Sequence, residues 1–102
     1  MARKAQQAKH LADAAVLAAV RDIGATRRQT VPCSWAFTWD LEIQPEFAGV
    51  HFRVLAAKCK ALIRRNLLSG CACGCRGDFE VTETGAAVCS HVPRRKRALK
   101  YP

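Results

Sequence analysis

Apolar side chains recur at helical spacing near the start of the chain and predict one long helix there. From about position 8 to position 23 the residues are strong helix formers, and Gly24 then supplies a stop signal. The expected buried stripe consists of Ala12, Val16, Ala19, Val20 and Ile23. We interpret this stripe as core packing.

The next part of the chain carries mixed signals and predicts only short elements. Residues 26–31 are compatible with a short strand. Trp35, Phe37 and Trp39 alternate as in a strand, but carboxylates follow them as they do in the first turn of a helix. We therefore expect a short second helix over residues 39–44, and we expect the three aromatic rings to fill the core.

A clearer helical pattern predicts a third helix over residues 50–68. Arg53, Lys60 and Arg64 fall on the side opposite the apolar face. Asn66 stands where a helix often ends in the left-handed conformation. The apolar face comprises Phe52, Leu55, Cys59, Leu62 and Ile63.

Two alternating segments then predict a β-hairpin. The first covers residues 71–73, a turn rich in glycine and arginine covers residues 74–78, and the second segment covers residues 79–82. The predicted organisation is a flexible basic N-terminus (1–7), one folded domain (8–90) and a basic C-terminal tail (91–102). The fold class expected from this order is α+β, with three helices and a C-terminal hairpin.

Composition changes this picture mainly through charge. The chain has 102 residues, enough for one domain, and half of them are hydrophobic, so we expect it to fold. Seventeen Lys and Arg residues stand against eight Asp and Glu residues, a formal charge of +9. Such a surplus favours a polyanionic partner, DNA or RNA first and an acidic membrane surface second. No segment reaches the ~20 apolar residues of a membrane span, and we expect a cytoplasmic protein.

The order of helix, short strand, short helix, longer helix and hairpin resembles that of the winged helix-turn-helix family. The run AAKCKALIRRNLL (residues 56–68) resembles the end of a recognition helix that leads into a wing. The run GCACGCRGDFEVTETG (residues 70–85) resembles a wing whose second strand ends in a Val-Thr-x-x-Gly pattern. This wing also resembles that of small cysteine-bearing winged-helix proteins of actinobacteria and their phages. The cysteine cluster and the aromatic-rich second helix depart from the common pattern.

A helix that enters the major groove needs an apolar face for the core and a basic face for the duplex. His51 and Arg53, near the start of the third helix, are the candidates for contact with base edges. Lys58, Lys60 and Arg64 are the candidates for phosphate contact. The alternative for each of these side chains is an ordinary solvated basic face.

Further candidate DNA contacts lie in the hairpin turn and in the tail. Arg76, at the tip of the hairpin, is expected to meet the backbone or an adjacent minor groove, unless it pairs with a neighbouring carboxylate. Arg94, Arg95, Lys96 and Arg97 form a basic run that is expected to act as an electrostatic arm. The alternative for the tail is a purely solubilising role.

Four cysteines are candidates for a zinc site. Cys71, Cys73 and Cys75 alternate, and an extended strand would place them on one face. Cys89 follows the second strand and would supply a fourth thiolate, which is the ligand set that Zn²⁺ prefers. The alternatives are a redox or iron–sulfur sensor and ordinary half-buried thiols. Cys59 lies on the apolar helical face and is expected in the core.

Together these patterns predict a sequence-specific regulator that binds double-stranded DNA and has no enzymatic activity, with a homodimer as one option for its oligomeric state. We expect it in the cytoplasm of a bacterium or of a phage-infected host. No histidine is linked by a motif to a cysteine, and no phosphate-binding glycine loop is present. Two other functions stay open: an RNA- or ribosome-associated module, and a protein–protein adaptor that exposes its aromatic residues.

Overall fold

The computed structural model describes residues 11–29, 35–70 and 78–94. Within them the chain forms four α-helices and a three-stranded antiparallel sheet, so the α+β class is confirmed but the expected number of three helices is wrong. The elements are, in order, α1 (Asp13–Arg28), β1 (Ala36–Phe37), α2 (Thr38–Glu42), a 3₁₀ turn (Pro45–Phe47), α3 (Phe52–Arg64), β2 (Leu68–Gly70), β3 (Asp78–Val81) and α4 (Glu83–Val88).

Helix α1 extends past the predicted stop signal. Gly24 lies buried inside the helix, which ends only at Arg28. A glycine within a helix costs about 1 kcal/mol relative to alanine, and here the packing of the surrounding turns in the core offsets that cost. Arg27 and Arg28 occupy the last turn, where positive charge interacts favourably with the helix dipole. The strand predicted over residues 26–31 is therefore wrong for residues 26–28, which are helical.

Strand β1 leads directly into helix α2. The carboxylate of Asp40 accepts a hydrogen bond from the backbone N–H of Phe37 at 2.9 Å. This contact ties the start of the helix to the residue that precedes it, as in one half of a capping box. The strand and the helix that the sequence indicates here both form, each over fewer residues than predicted. The predicted helix over residues 39–44 ends at Glu42, and Gln44 has an extended backbone (φ −73°, ψ 137°).

Helix α3 ends at Arg64, short of the predicted residue 68, and the chain then turns sharply into β2. Asn66 has a φ of 62°, which confirms the predicted left-handed residue. The backbone N–H of Leu67 donates to the carbonyl of Leu62 at 2.9 Å and closes the helix end.

Strand β3 is the centre of the sheet, whose order is β1-β3-β2. Ala36 lies opposite Phe79 on one side, and Leu68 lies opposite Val81 on the other. The antiparallel pairing of β2 with β3 is the one expected for the hairpin. Its first strand, however, is earlier in the chain than predicted, and residues 71–77 lie outside the described residues.

The run that we expected to end a strand instead begins helix α4. The hydroxyl of Thr82 accepts from the backbone N–H of Gly85 at 3.0 Å and donates to the carbonyl of Asn66 at 2.8 Å. A Cβ atom on Gly85 would lie inside contact distance of the carbonyl oxygen of Leu67. The Thr-x-x-Gly pattern therefore fixes α4 against the junction between α3 and β2.

One hydrophobic core joins the helices to the sheet. Its side chains come from α1, α2, α3, β2 and β3, so the core connects the two ends of the described chain. The largest of its fully buried apolar residues are Val16, Leu17, Val20, Ile23, Leu41, Leu55, Leu62, Leu68 and Phe79.

The helices are short relative to a lipid bilayer. Helix α1 has 16 residues, whereas a membrane span takes about 20 apolar ones. None of the helices in the described stretches is long and apolar enough to cross a membrane.

Candidate nucleic-acid interface

Helix α3 presents one basic stripe away from the core. Arg53, Ala57, Lys60 and Arg64 follow each other at intervals of four, three and four residues, which places them along one side of a helix. All are exposed except Lys60, which is half-buried. The helix contains no Asp or Glu. The stripe is therefore positively charged along its length, as predicted.

The first turn of α3 exposes three neighbouring residues. His51 caps the helix: its Nδ1 atom accepts from the backbone N–H of Arg53 at 3.1 Å. The ring of His51 lies 4.7 Å from the ring of Phe52, at an interplanar angle of 28°. Phe52 is 48% exposed, so its predicted place in the core is wrong. At the first position of the helix its ring contacts the exposed His51 ring.

Lys58 differs from the other predicted contacts because it is buried. Its ammonium group forms an ion pair with the carboxylate of Asp13 in α1. The guanidinium of Arg65 donates to the same carboxylate at 2.6 Å. These two cations hold the pKa of Asp13 below its ordinary value of 3.8, chiefly through the hydrogen bond from Lys58. Lys58 thus joins α3 to α1. The ion pair with Asp13 accounts for its buried ammonium group without a bound phosphate.

Of the predicted tail contacts, Arg94 alone lies within the described residues. It is exposed at the end of the described chain and lines a cleft of about 210 Å³ between α1, β3 and α4. Arg28, also exposed, and Glu80 line the same cleft. The other predicted contacts of the hairpin and tail lie outside the described residues: Arg76, Arg95, Lys96 and Arg97.

The predicted zinc ligands are described only in part. Cys71, Cys73 and Cys75 lie outside the described residues. Cys89, at the end of α4, is fully buried, and its Sγ atom lies 3.8 Å from a guanidinium nitrogen of Arg21 and 3.6 Å from the carbonyl of Ala86. Zinc binding stays a prediction.

Cys59 lies in the core, as expected. It is fully buried on the inner face of α3, and burial raises the pKa of its thiol to about 12. A thiol with so high a pKa carries almost no thiolate at neutral pH, so it is a poor nucleophile and a poor metal ligand.

The aromatic residues around α2 form a stack that sequence reasoning did not foresee. The rings of Phe37 and Trp39 are parallel within 4°, with centroids 4.5 Å apart. The guanidinium of Arg27 lies 5.0 Å from the Phe37 centroid and pairs with Asp40 at 2.9 Å. Trp39 is 54% exposed, and Trp35 and Phe37 are half-buried and not part of the hydrophobic core, so the expectation that the three rings fill the core is wrong.

Comparison of the chain with protein-family models, with curated proteins and with solved structures gave no match. Any function assigned to the chain therefore depends on its own residues and their geometry.

Proposed function

We propose that this chain is a sequence-specific DNA-binding protein of the winged-helix class that regulates transcription in the cytoplasm of a bacterium or an infected host cell. The observation that carries this proposal is the basic stripe of exposed Arg53 and Arg64 and half-buried Lys60 on a helix without carboxylates. The major groove of DNA accommodates one α-helix, and its phosphates attract such a stripe. The order of helix, strand, two helices and two antiparallel strands further supports the winged-helix assignment.

The first turn of α3 is proposed to read the bases. Arginine donates in a bidentate manner to the O6 and N7 atoms of guanine, and Arg53 is exposed at this turn. Phe52 adds an exposed apolar ring beside it, a group suited to the methyl of thymine. One ring nitrogen of His51 accepts the hydrogen bond that caps the helix, and its other ring nitrogen is available for a contact with DNA.

Lys60 and Arg64 are proposed to contact phosphates, which fix the position of the helix without reading sequence. Arg94 would extend the positive surface on the side of the cleft. Arg76 and the tail residues keep their predicted roles as backbone contacts. Lys58 is left out of the proposed interface because it is buried and its ammonium group pairs with Asp13.

The experiment begins with a target site selected from random duplexes, followed by binding titrations across a salt series. Arg53→Ala is expected to weaken binding to the selected site about 5- to 100-fold and to weaken binding to random duplex much less. Lys60→Ala and Arg64→Ala are expected to weaken both and to reduce the salt dependence by about one counterion each. Asp13→Ala removes the carboxylate that pairs with Lys58 and Arg65. Its DNA affinity is the comparison for a charge change within this group of three residues.

Gln29→Ala is the neutral control, and Arg28→Ala matches the charge loss on a different helix. If Arg28→Ala weakened specific binding as much as Arg53→Ala, the effect would be general electrostatics and α3 would not be the reading helix. If the protein ignored duplex DNA but bound structured RNA, the RNA-associated alternative would replace this proposal.

A further inference from the structure

The chain contains two aromatic–carboxylate pairs with the same internal spacing, and the second pair begins two residues after the first. In each pair an aromatic residue is followed three positions later by a carboxylate: Phe37 with Asp40, and Trp39 with Glu42. Trp39 and Glu42 both lie in α2, where residues three apart are neighbours on the surface, about 5–6 Å apart at Cβ, whereas Phe37 ends β1 just before the helix.

The first pair is already occupied by an arginine of the same chain. Arg27 lies over the Phe37 ring and pairs with the Asp40 carboxylate, at 2.9 Å and 3.1 Å to its two oxygens. It also donates to the carbonyl of Trp35 at 2.8 Å. A guanidinium suits such a site because it is planar, stacks on aromatic faces and donates to both carboxylate oxygens.

The second pair faces solvent. Trp39 is 54% exposed, and Glu42 is exposed and makes no ion pair within the described part of the chain. Ile43, the fourth residue after Trp39, is 46% exposed, and its backbone N–H still donates to the Trp39 carbonyl at 3.3 Å. Trp39, Glu42 and Ile43 therefore lie on one helical face, which we name the α2 surface.

The charge around the α2 surface is opposite to that of the whole protein. Residues 35–50 contain Asp40, Glu42 and Glu46 and no Lys or Arg, so this stretch carries −3 in a chain of +9, or −2 once Arg27, which pairs with Asp40, is counted with it. The rest of the chain then carries +12, because 9 minus −3 is 12. A phosphate backbone would be repelled by this stretch, whereas a cationic group would be attracted to it.

We propose that the α2 surface binds an arginine side chain presented by a protein partner, with the guanidinium on the Trp39 ring and paired with Glu42. An apolar residue beside that arginine would cover Ile43. The occupant is a basic, partly apolar protein segment. A second copy of the same surface is a poor occupant because it would bring Glu42 against Glu42. This surface does not include the stripe of α3, so the inference does not depend on DNA binding.

The test uses the full chain and the blocked peptide acetyl-Ala-Leu-Arg-Ala-amide as probe, followed by NMR of the Trp39 indole. Peptides with lysine or with the neutral isostere citrulline in place of arginine are the matched ligands. We expect the indole signal to shift in a saturable manner with the arginine peptide, more weakly with lysine and least with citrulline. Added salt should weaken the binding.

Two variants separate the two halves of the site. Trp39→Leu keeps an apolar side chain but removes the ring, and Glu42→Gln removes only the charge. Because Trp39→Leu removes the indole, binding to the variants is followed at the backbone amide of Ile43. We expect Trp39→Leu to abolish saturable binding and Glu42→Gln to weaken it about two- to fivefold. Glu83→Gln, an exposed glutamate on α4, should leave it unchanged. Circular dichroism checks that each variant is folded.

Three results would overturn the proposal. The first is equal binding of the arginine and citrulline peptides, since the charge would then have no role. The second is an unchanged affinity in Glu42→Gln. The third is stronger binding of a single-stranded oligonucleotide than of the arginine peptide to the same indole, which would make the surface a base-stacking site. Duplex DNA affinity of Trp39→Leu is expected to equal that of the parent chain, so this result is separate from the outcome for α3.

Discussion

The ammonium group of Lys58 in α3 pairs with the carboxylate of Asp13 at the start of α1. Lys58 is largely buried, whereas Asp13 keeps partial contact with solvent. Arg65, just after the end of α3, donates to the same carboxylate. One acidic residue of α1 thus pairs with two basic residues, one within α3 and one just after it.

Asp13→Asn is expected to lower the free energy of unfolding at pH 7 by about 1–2 kcal/mol, because Lys58 would remain buried without its charged partner. The folded pKa of Asp13 is lowered, so its contribution is present above its ordinary value of 3.8 and is lost as the pH falls through the lower folded value. The difference between parent and variant should shrink below about pH 4.

Urea unfolding at a series of pH values measures this difference, with Glu42→Gln as the control carboxylate. A gap between parent and Asp13→Asn that stayed constant down to pH 2 would show that the ion pair does not titrate as stated.

Arg21 is expected to be the most important arginine for stability. Its guanidinium donates to the carbonyls of Cys89 at 2.9 Å and Val92 at 3.0 Å, and its Nε donates to Asp22 at 2.8 Å. It thereby joins the segment after α4 to α1. Arg21→Met should cost about 2–4 kcal/mol and lower the Tm by roughly 10 °C or more.

Arg28→Met, an exposed residue of the same helix, should change stability by less than about 0.5 kcal/mol. Thermal unfolding of the two variants decides the point, and equal Tm values would contradict the role assigned to Arg21.

Gly85→Ala is expected to destabilise the protein by about 2–3 kcal/mol. The added methyl would meet the carbonyl of Leu67 and the side chain of Val81, and backbone cannot move as easily as a flexible side chain. Thr84→Ala, one position earlier and exposed, is the matched control. Chemical unfolding should show a lower midpoint for Gly85→Ala alone, and an unchanged midpoint would mean that α4 is not held against β2 as described.

Cys59 and Cys89 are expected to resist alkylation in the folded protein. Both are fully buried, and the pKa of Cys59 is raised to about 12, so little thiolate is available to react. Iodoacetamide followed by peptide mass spectrometry should label them only after urea is added. Labelling of Cys59 in native buffer as fast as in urea would rule out the packed core around α3.

The parts of the fold that follow from local properties were predictable from the sequence. The periodicity of α3 fixed its buried residues Leu55, Cys59 and Leu62, and it placed Arg53 and Arg64 on the opposite side. Asn66 signalled the end of the helix because few other residues tolerate a positive φ. These features depend on side chains within a few positions of one another.

Other local sequence signals are real, but the structure that each of them predicted does not form. Gly24 is a stop signal in an isolated helix, yet α1 continues through it because its surroundings pack in the core. The Thr-x-x-Gly run at residues 82–85 was read as the end of a strand and is the start of α4. Phe52 fits the apolar spacing of α3 but lies at its first position and is half exposed.

The sequence by itself determined the α+β class, the existence of α1 and α3 but not their ends, and a basic helical face opposed to an apolar one, because spacing and turn preference act between near neighbours. Only the tertiary structure decided that Lys58 is neutralised by Asp13, that Arg27 occupies the Phe37–Asp40 pair, and that the Trp39–Glu42 pair is left facing solvent. Those outcomes depend on contacts between distant segments, whose partners are fixed by how the helices pack and not by the local pattern of either segment.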